Sequence, residues 1–108
     1  MVEDLDVVFH ALSSEPRRAM LDALTGGERT VGDLAEPFAM SLAGVSKHLK
    51  VLEGAGLITR RIEGTKRPCR LAPAAVNEID QWLGMLRKAL SANYDRLDDV
   101  LAAMKPSE

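Results

Sequence analysis

From Pro73 onward the apolar residues hold one helical face for about thirty residues: Val76, Ile79, Trp82 with Leu83, Leu86, Leu90, Leu97, Val100 with Leu101, and Met104. A helix of that reach is roughly 45 Å long at about 1.5 Å per residue. A globule of about 100 residues has a radius of gyration near 13 Å. In a chain of 108 residues, part of such a helix has to overhang the domain that carries it. An overhanging apolar stripe needs cover, and a second copy of the chain is the simplest cover. Asn93 stands in the stripe where an apolar residue is expected.

The rest of the chain is also mostly helical in period. Leu5, Val8, Phe9 and Leu12 mark a first short helix, about 3–13. Ser14 caps the next, with Pro16 in its first turn, Met20, Leu21 and Leu24 inside, and Gly26 and Gly27 at its end. Thr30 and Asp33 form a capping box for a third helix bearing Val31, Leu34, Ala35 and Phe38, and Pro37 limits its run. Ser41 caps a fourth, whose inner face is Val45, Leu49 and Leu52. Gly54, Ala55 and Gly56 stop it. The period then shortens. Residues 57–62 and 67–71, joined by a turn at 63–66, predict a β-hairpin of about five residues per arm. Pro68 cannot donate to a ladder, which predicts an edge position for its strand. The fold class is mainly α with a small β-hairpin, in one domain over 1–108.

Aromatic residues make up only 4% of the chain, so Leu, Val, Ile, Ala and Met must build the core. The single cysteine, Cys69, excludes an intrachain disulfide and any CxxC motif. The acidic start has no signal-peptide pattern, and no apolar run is long enough to span a membrane. A reduced, cytoplasmic setting is expected. No nucleophile–base pair, Gly-rich phosphate loop or catalytic cluster points to an enzyme, and no cofactor is called for.

The net charge of −2 argues against a nucleic-acid partner until it is divided along the chain. Residues 41–70 carry seven basic side chains against two acidic ones, a net of +5. The remainder carries seven basic and fourteen acidic, a net of −7. The positive segment coincides with the fourth helix and the hairpin. A segregated field of this kind suits a phosphate backbone whatever the total. The third and fourth helices, about 30–54, form a helix-turn-helix. Opposite its core face the fourth helix presents Ser41, Ala43, Gly44, Ser46, Lys47 and Lys50. Small residues allow close approach to a major groove, while Ser and Lys meet base edges or phosphates. The hairpin, about 57–71, reads as a wing with Lys66 and Arg67 near its tip.

At these residues the chain resembles the ArsR-type winged-helix repressors. The stretches FHALSSEPRRAMLDAL, TVGDLAEPFAMSLAGVSKHLKVLEGAGLI and TRRIEGTKRPCRL carry the resemblance, and SKHLKVLEGAGLI is the most specific. It implies a homodimeric regulator of transcription, usually a repressor, with double-stranded DNA as partner. It implies that Ser41, Ser46, Lys47, His48 and Lys50 face operator DNA, with the wing at Arg61, Lys66 and Arg67. It also implies a dimer interface of the first and last helices, the latter about 73–105. The interface residues would be Leu5, Val8, Phe9 and Leu12 with Ile79, Trp82, Leu86, Leu90 and Leu97.

Many of these regulators sense metals through a Cys-x-Cys pair on the third helix or through Asp and His on the last. Here the third helix has no cysteine, and no histidine follows His48. Asp80, Asp95, Asp98 and Asp99 alone suit only a weakly held hard cation. The resemblance is therefore to the metal-independent members, and the effector is left unspecified. Pro68 and Cys69 depart from the bulky strand residues common in the family.

Several residues carry two readings. His48 lies beside the core face and serves either a structural hydrogen bond or a DNA contact. His10 reads as a surface or interface residue. Cys69 reads as a small strand residue rather than a redox sensor. Trp82 and Tyr94 read as interface packing. Gly44, expected within the helix, costs about 1 kcal/mol relative to Ala, which either close DNA approach or local packing explains. Two alternatives to a DNA-binding repressor remain at this level: a winged-helix module that binds protein, and a carboxylate-based metal-responsive repressor.

Overall fold

Ser14, Thr30 and Ser41 stand where the helical period restarts, and each caps a helix. The computed structural model describes residues 2–104, without the side chains of residues 2–4 and of Tyr94. The expectations for Tyr94 and for the helix end near Lys105 lie outside the described part. The elements run α1 (Val2–Leu12), α2 (Glu15–Leu24), β1 (Arg29–Thr30), α3 (Val31–Ala35), α4 (Leu42–Gly54), β2 (Ile58–Arg60), β3 (Pro68–Leu71) and α5 (Pro73–Met104). Asn77 closes one compact unit and Glu78 opens a second.

The first unit is built on caps. The Ser14 hydroxyl accepts from the Arg17 amide at 3.4 Å. Thr30 and Asp33 form the expected reciprocal box, at 3.2 and 3.3 Å, so a shorter Asp serves where Glu is usual. The helix it opens is only one turn, ending at Ala35 two residues before Pro37. Helix α4 ends in a Schellman arrangement. The Leu57 amide donates to the Leu52 carbonyl and the Gly56 amide to that of Glu53, both at 3.0 Å. Gly56 takes the positive φ of 77° that this ending needs.

The core is aliphatic and sulfur-bearing, and no polar side chain is buried among the described residues. Met20 and Leu24 of α2, Leu34 of α3, and Val45, Leu49 and Leu52 of α4 meet Leu57, Ile58 and Cys69 in it. Each buried Leu, Val or Met contributes roughly 1.5–3 kcal/mol of transfer free energy. Helix α1 adds Val8 and Ala11. Val8, expected in an interface between chains, is only 1% exposed and belongs to this core. Val7 and Phe9 of α1 stand exposed, while Leu5 and Leu12 are half-buried.

The hairpin expected from sequence is part of a three-stranded antiparallel sheet in the order β1-β3-β2. Arg29 pairs with Cys69 and Thr30 with Pro68, while Ile58, Thr59 and Arg60 pair with Leu71, Arg70 and Cys69. The strand bearing Pro68 is therefore central, not at an edge. Pro68 is tolerated because it is the first residue of β3. Its carbonyl accepts from the Arg61 amide at 3.1 Å, and the missing N–H ends the ladder there. The wing tip turns at Gly64 and Thr65, closed by paired hydrogen bonds between Glu63 and Lys66 at 2.9 and 3.1 Å. Gly64 carries a φ of 62°, as a two-residue hairpin loop with glycine first requires.

Pro73 opens α5, where its missing N–H costs nothing. Ala75, in the part of α5 belonging to the first unit, is buried. In the second unit the described chain is α5 alone. Trp82, Leu86, Leu90, Leu97, Val100 and Leu101 are all exposed along it, Leu90 at 46%. Ile79 is half-buried. At 32 residues, α5 is about 48 Å long by the helical rise. Among the described residues no helix is long and apolar enough to cross a membrane.

Candidate nucleic-acid interface

Helix α4 owes its orientation to one buried stripe. Val45, Leu49 and Leu52 are fully enclosed, which turns the opposite face outward. On that face Ser41, Ala43, Lys47 and Lys50 are exposed, while Gly44, Ser46 and His48 are half-buried. The Ser41 hydroxyl accepts from the Gly44 amide at 3.1 Å. Gly44 is thus the third residue of the helix rather than a mid-helix glycine. A Cβ placed there would meet Ser41 Oγ at 3.4 Å and Met40 Cε at 3.5 Å, which are ordinary contacts. Local packing does not exclude a methyl group at this position. Leu42, which the sequence reading did not place on this face, is 61% exposed as the first residue of α4. Its spacing, three residues before Val45, is in step with the buried stripe, so period alone does not reveal its exposure.

The wing stands beside this helix. Thr30, Val31 and Gly32 at the start of α3, Leu42, Ala43 and Ser46 of α4, and Thr65, Lys66 and Arg67 of the wing line one open groove of about 490 Å³. Ala43, Ser46, Lys66 and Arg67, all expected to face the ligand, are brought together by the fold. At the tip, Arg67 donates to the Lys66 carbonyl at 3.0 Å and to that of Gly64 at 3.4 Å.

The cations are not equivalent. Arg60 donates twice to Glu53 Oε1, at 2.9 and 3.3 Å. Arg61 is paired with both Glu28 and Glu63, the latter at 2.7 Å. Its hydrogen bonds to Glu28 hold that carboxyl below the usual carboxylate range. The same two carboxylates push the Arg61 guanidinium up, Glu28 first. Arg61, expected on DNA, is therefore a neutralised group in this structure. Lys47, Lys50, Lys66 and Arg67 have no acidic partner among the described residues.

His48 and Cys69 each have a defined neighbour. His48 Nδ1 lies 3.1 Å from Arg17 Nη1, a hydrogen bond when Nδ1 carries the lone pair. Cys69 is fully buried, and its thiol points to the Arg67 carbonyl at 3.5 Å. Burial pushes that thiol's pKa up, away from the reactive thiolate. His10 is exposed, and its carbonyl accepts from Arg17 and Ser13. Among the described residues no three His, Cys, Asp or Glu side chains converge on a point that could hold a metal.

A capped helix presented beside a β-hairpin, behind a short helix and turn, defines a winged helix-turn-helix protein. Residues 12–61 match the family model of a helix-turn-helix domain. The transcriptional repressor SdpR of Bacillus subtilis is 44% identical over 76 residues, which span 70% of this chain and 84% of that protein. A crystal structure of an ArsR family transcriptional regulator superposes with a TM-score of 0.80 at 33% identity, covering 84% of this chain and 94% of that one. The solution structure of a homodimeric winged helix-turn-helix DNA-binding domain from Mycobacterium bovis gives 0.63 at 26% identity, covering 88% and 85%. The chain belongs to the ArsR-type winged helix-turn-helix transcriptional regulators.

Proposed function

We propose that two copies of this chain bind one inverted-repeat operator and repress transcription by occluding a promoter. The observation that carries the reading is the set of unpaired cations, Lys47 and Lys50 on α4 and Lys66 and Arg67 on the wing, flanking small residues at the start of α4. In this reading α4 enters the major groove by its first turns. Ser41, Ala43, Gly44 and Ser46 approach the base edges, and Lys47 and Lys50 meet phosphates. Lys66 and Arg67 reach the adjacent backbone or minor groove. Arg61 contributes only if DNA displaces its carboxylate partners. The two-fold axis would bring the exposed faces of α1 and α5 from two chains together, with Phe9, Trp82, Leu86, Leu90 and Leu97 in the seam. The homodimeric relative supports that assembly, and the repressor relative supports the sign of regulation. Half-site centres would then lie about 34–36 Å apart, one helical turn of DNA. A cytoplasmic site of action follows from this role.

A mobility shift of the purified chain on the DNA upstream of its own gene, at two salt concentrations, tests the reading. A retarded, salt-sensitive complex on a palindromic fragment is expected. Equal or absent binding across all fragments at both salts would overturn it in favour of a protein-binding module.

A further inference from the structure

One guanidinium joins three helices. Arg17, near the start of α2, donates from Nε to the Ala11 carbonyl at 2.7 Å and from Nη2 to the His10 carbonyl at 3.1 Å. Both carbonyls belong to the last turn of α1, and that of His10 also accepts from the Ser13 amide and hydroxyl, at 3.1 and 2.6 Å. The remaining nitrogen, Nη1, lies 3.1 Å from Nδ1 of His48 on α4. A guanidinium has donors only, so this contact is a hydrogen bond only when Nδ1 offers its lone pair. The ring proton then sits on Nε2. Imidazole nitrogens point in widely divergent directions, so Nε2–H is turned away from Arg17. It has no protein partner among the described residues and is not a buried unsatisfied atom. The donor therefore reaches solvent on α4, one residue beyond Lys47.

We propose that Arg17 is the positioning residue of the DNA-reading helix. It fixes His48 as a neutral Nε2–H donor to a DNA phosphate oxygen and ties the rotation of α4 to the end of α1. The proposal rests on the operator-binding reading above. Neither residue acts alone in it: without Arg17 the ring is free to swap tautomer and rotamer, and without His48 the tie has no end on α4. Because the donor is neutral, its contact adds affinity without releasing a counterion, unlike that of a lysine.

The test uses an operator selected from random duplexes, with Arg17→Ala, His48→Ala, the double variant and His48→Gln, whose amide keeps a donor at a similar reach. Each Ala variant is expected to weaken operator binding about tenfold, the scale of one hydrogen bond to a charged acceptor. The double variant should lose no more than either single one, and His48→Gln should recover most of the affinity. The salt slope should stay unchanged in all four. Long-range ¹H–¹⁵N spectra should show His48 as a single Nε2–H tautomer in the native chain and a mixture in Arg17→Ala. Additive losses, unaltered affinity in His48→Ala and His48→Gln, or a native Nδ1–H tautomer would overturn the proposal while leaving the regulator reading intact. Failure of the native chain to select any duplex would overturn both.

Discussion

The Arg61 guanidinium grips Glu28, with Nη2 donating to Oε1 at 2.9 Å across 33 positions of sequence. Glu63 accepts from the same nitrogen at 2.7 Å. A cation that a charge count assigns to DNA is thereby matched inside the protein. Glu28→Gln combined with Glu63→Gln should free Arg61 to act on the backbone. Operator affinity should rise, and the salt dependence should steepen by up to about one counterion. Binding titrations at several salt concentrations check this. The pairing also has a pH signature. The Glu28 carboxyl is held below its ordinary value of 4.5 in the folded chain. Its contribution to stability is therefore present above the unfolded carboxylate value and fades as pH falls through the lower folded one. Both groups face solvent, so the effect on the melting temperature should be small.

Ser41 caps the helix that reads DNA, and Ser41→Ala should destabilise the chain by about 1 kcal/mol. Ser41→Asp restores the cap but sets a negative charge against the phosphates. Thermal melts should therefore rank Ser41→Asp with the native chain, while operator affinity should fall in both variants.

Gly44 separates fold from function. The contacts an added methyl would make are ordinary ones, and alanine is the better helix former. Gly44→Ala should leave stability unchanged or raise it by up to about 1 kcal/mol. Operator affinity should nevertheless drop, because the methyl group stands where α4 approaches the groove. Equal affinity alongside raised stability would show that the glycine has no role at the DNA surface.

The exposed stripe on α5 should hold the dimer. Leu90 lies in its middle, and Leu90→Glu places a charge in the proposed seam. Sedimentation at micromolar concentration should find the native chain dimeric and the variant monomeric with its helix content retained. The variant should also lose most of its operator affinity, since one half-site alone gives weak binding.

Local chemistry made much of this fold legible. The Ser14, Thr30 and Ser41 caps, the Asp33 box and the Gly56 stop all lie within three residues of what they satisfy. The buried stripe of Val45, Leu49 and Leu52 fixed the outward face of α4 by period alone. What the pattern could not show were pairings between distant segments. Strand β1 is two residues long, too short to display an alternation, so its pairing with β3 and the central place of Pro68 were invisible. Glu28 reaches Arg61 over 33 positions and Arg17 reaches His48 over 31. Val8 has the right spacing for a seam, yet it is buried within the first unit.

The central claim is that the unpaired lysines of α4 meet operator phosphates. The most direct measurement is the salt dependence of operator affinity for the native chain, Lys47→Ala and Lys50→Ala. Each variant should bind more weakly, with the logarithmic salt slope reduced by about one and the melting temperature unchanged. Native affinity and an unaltered slope in both variants would contradict the account.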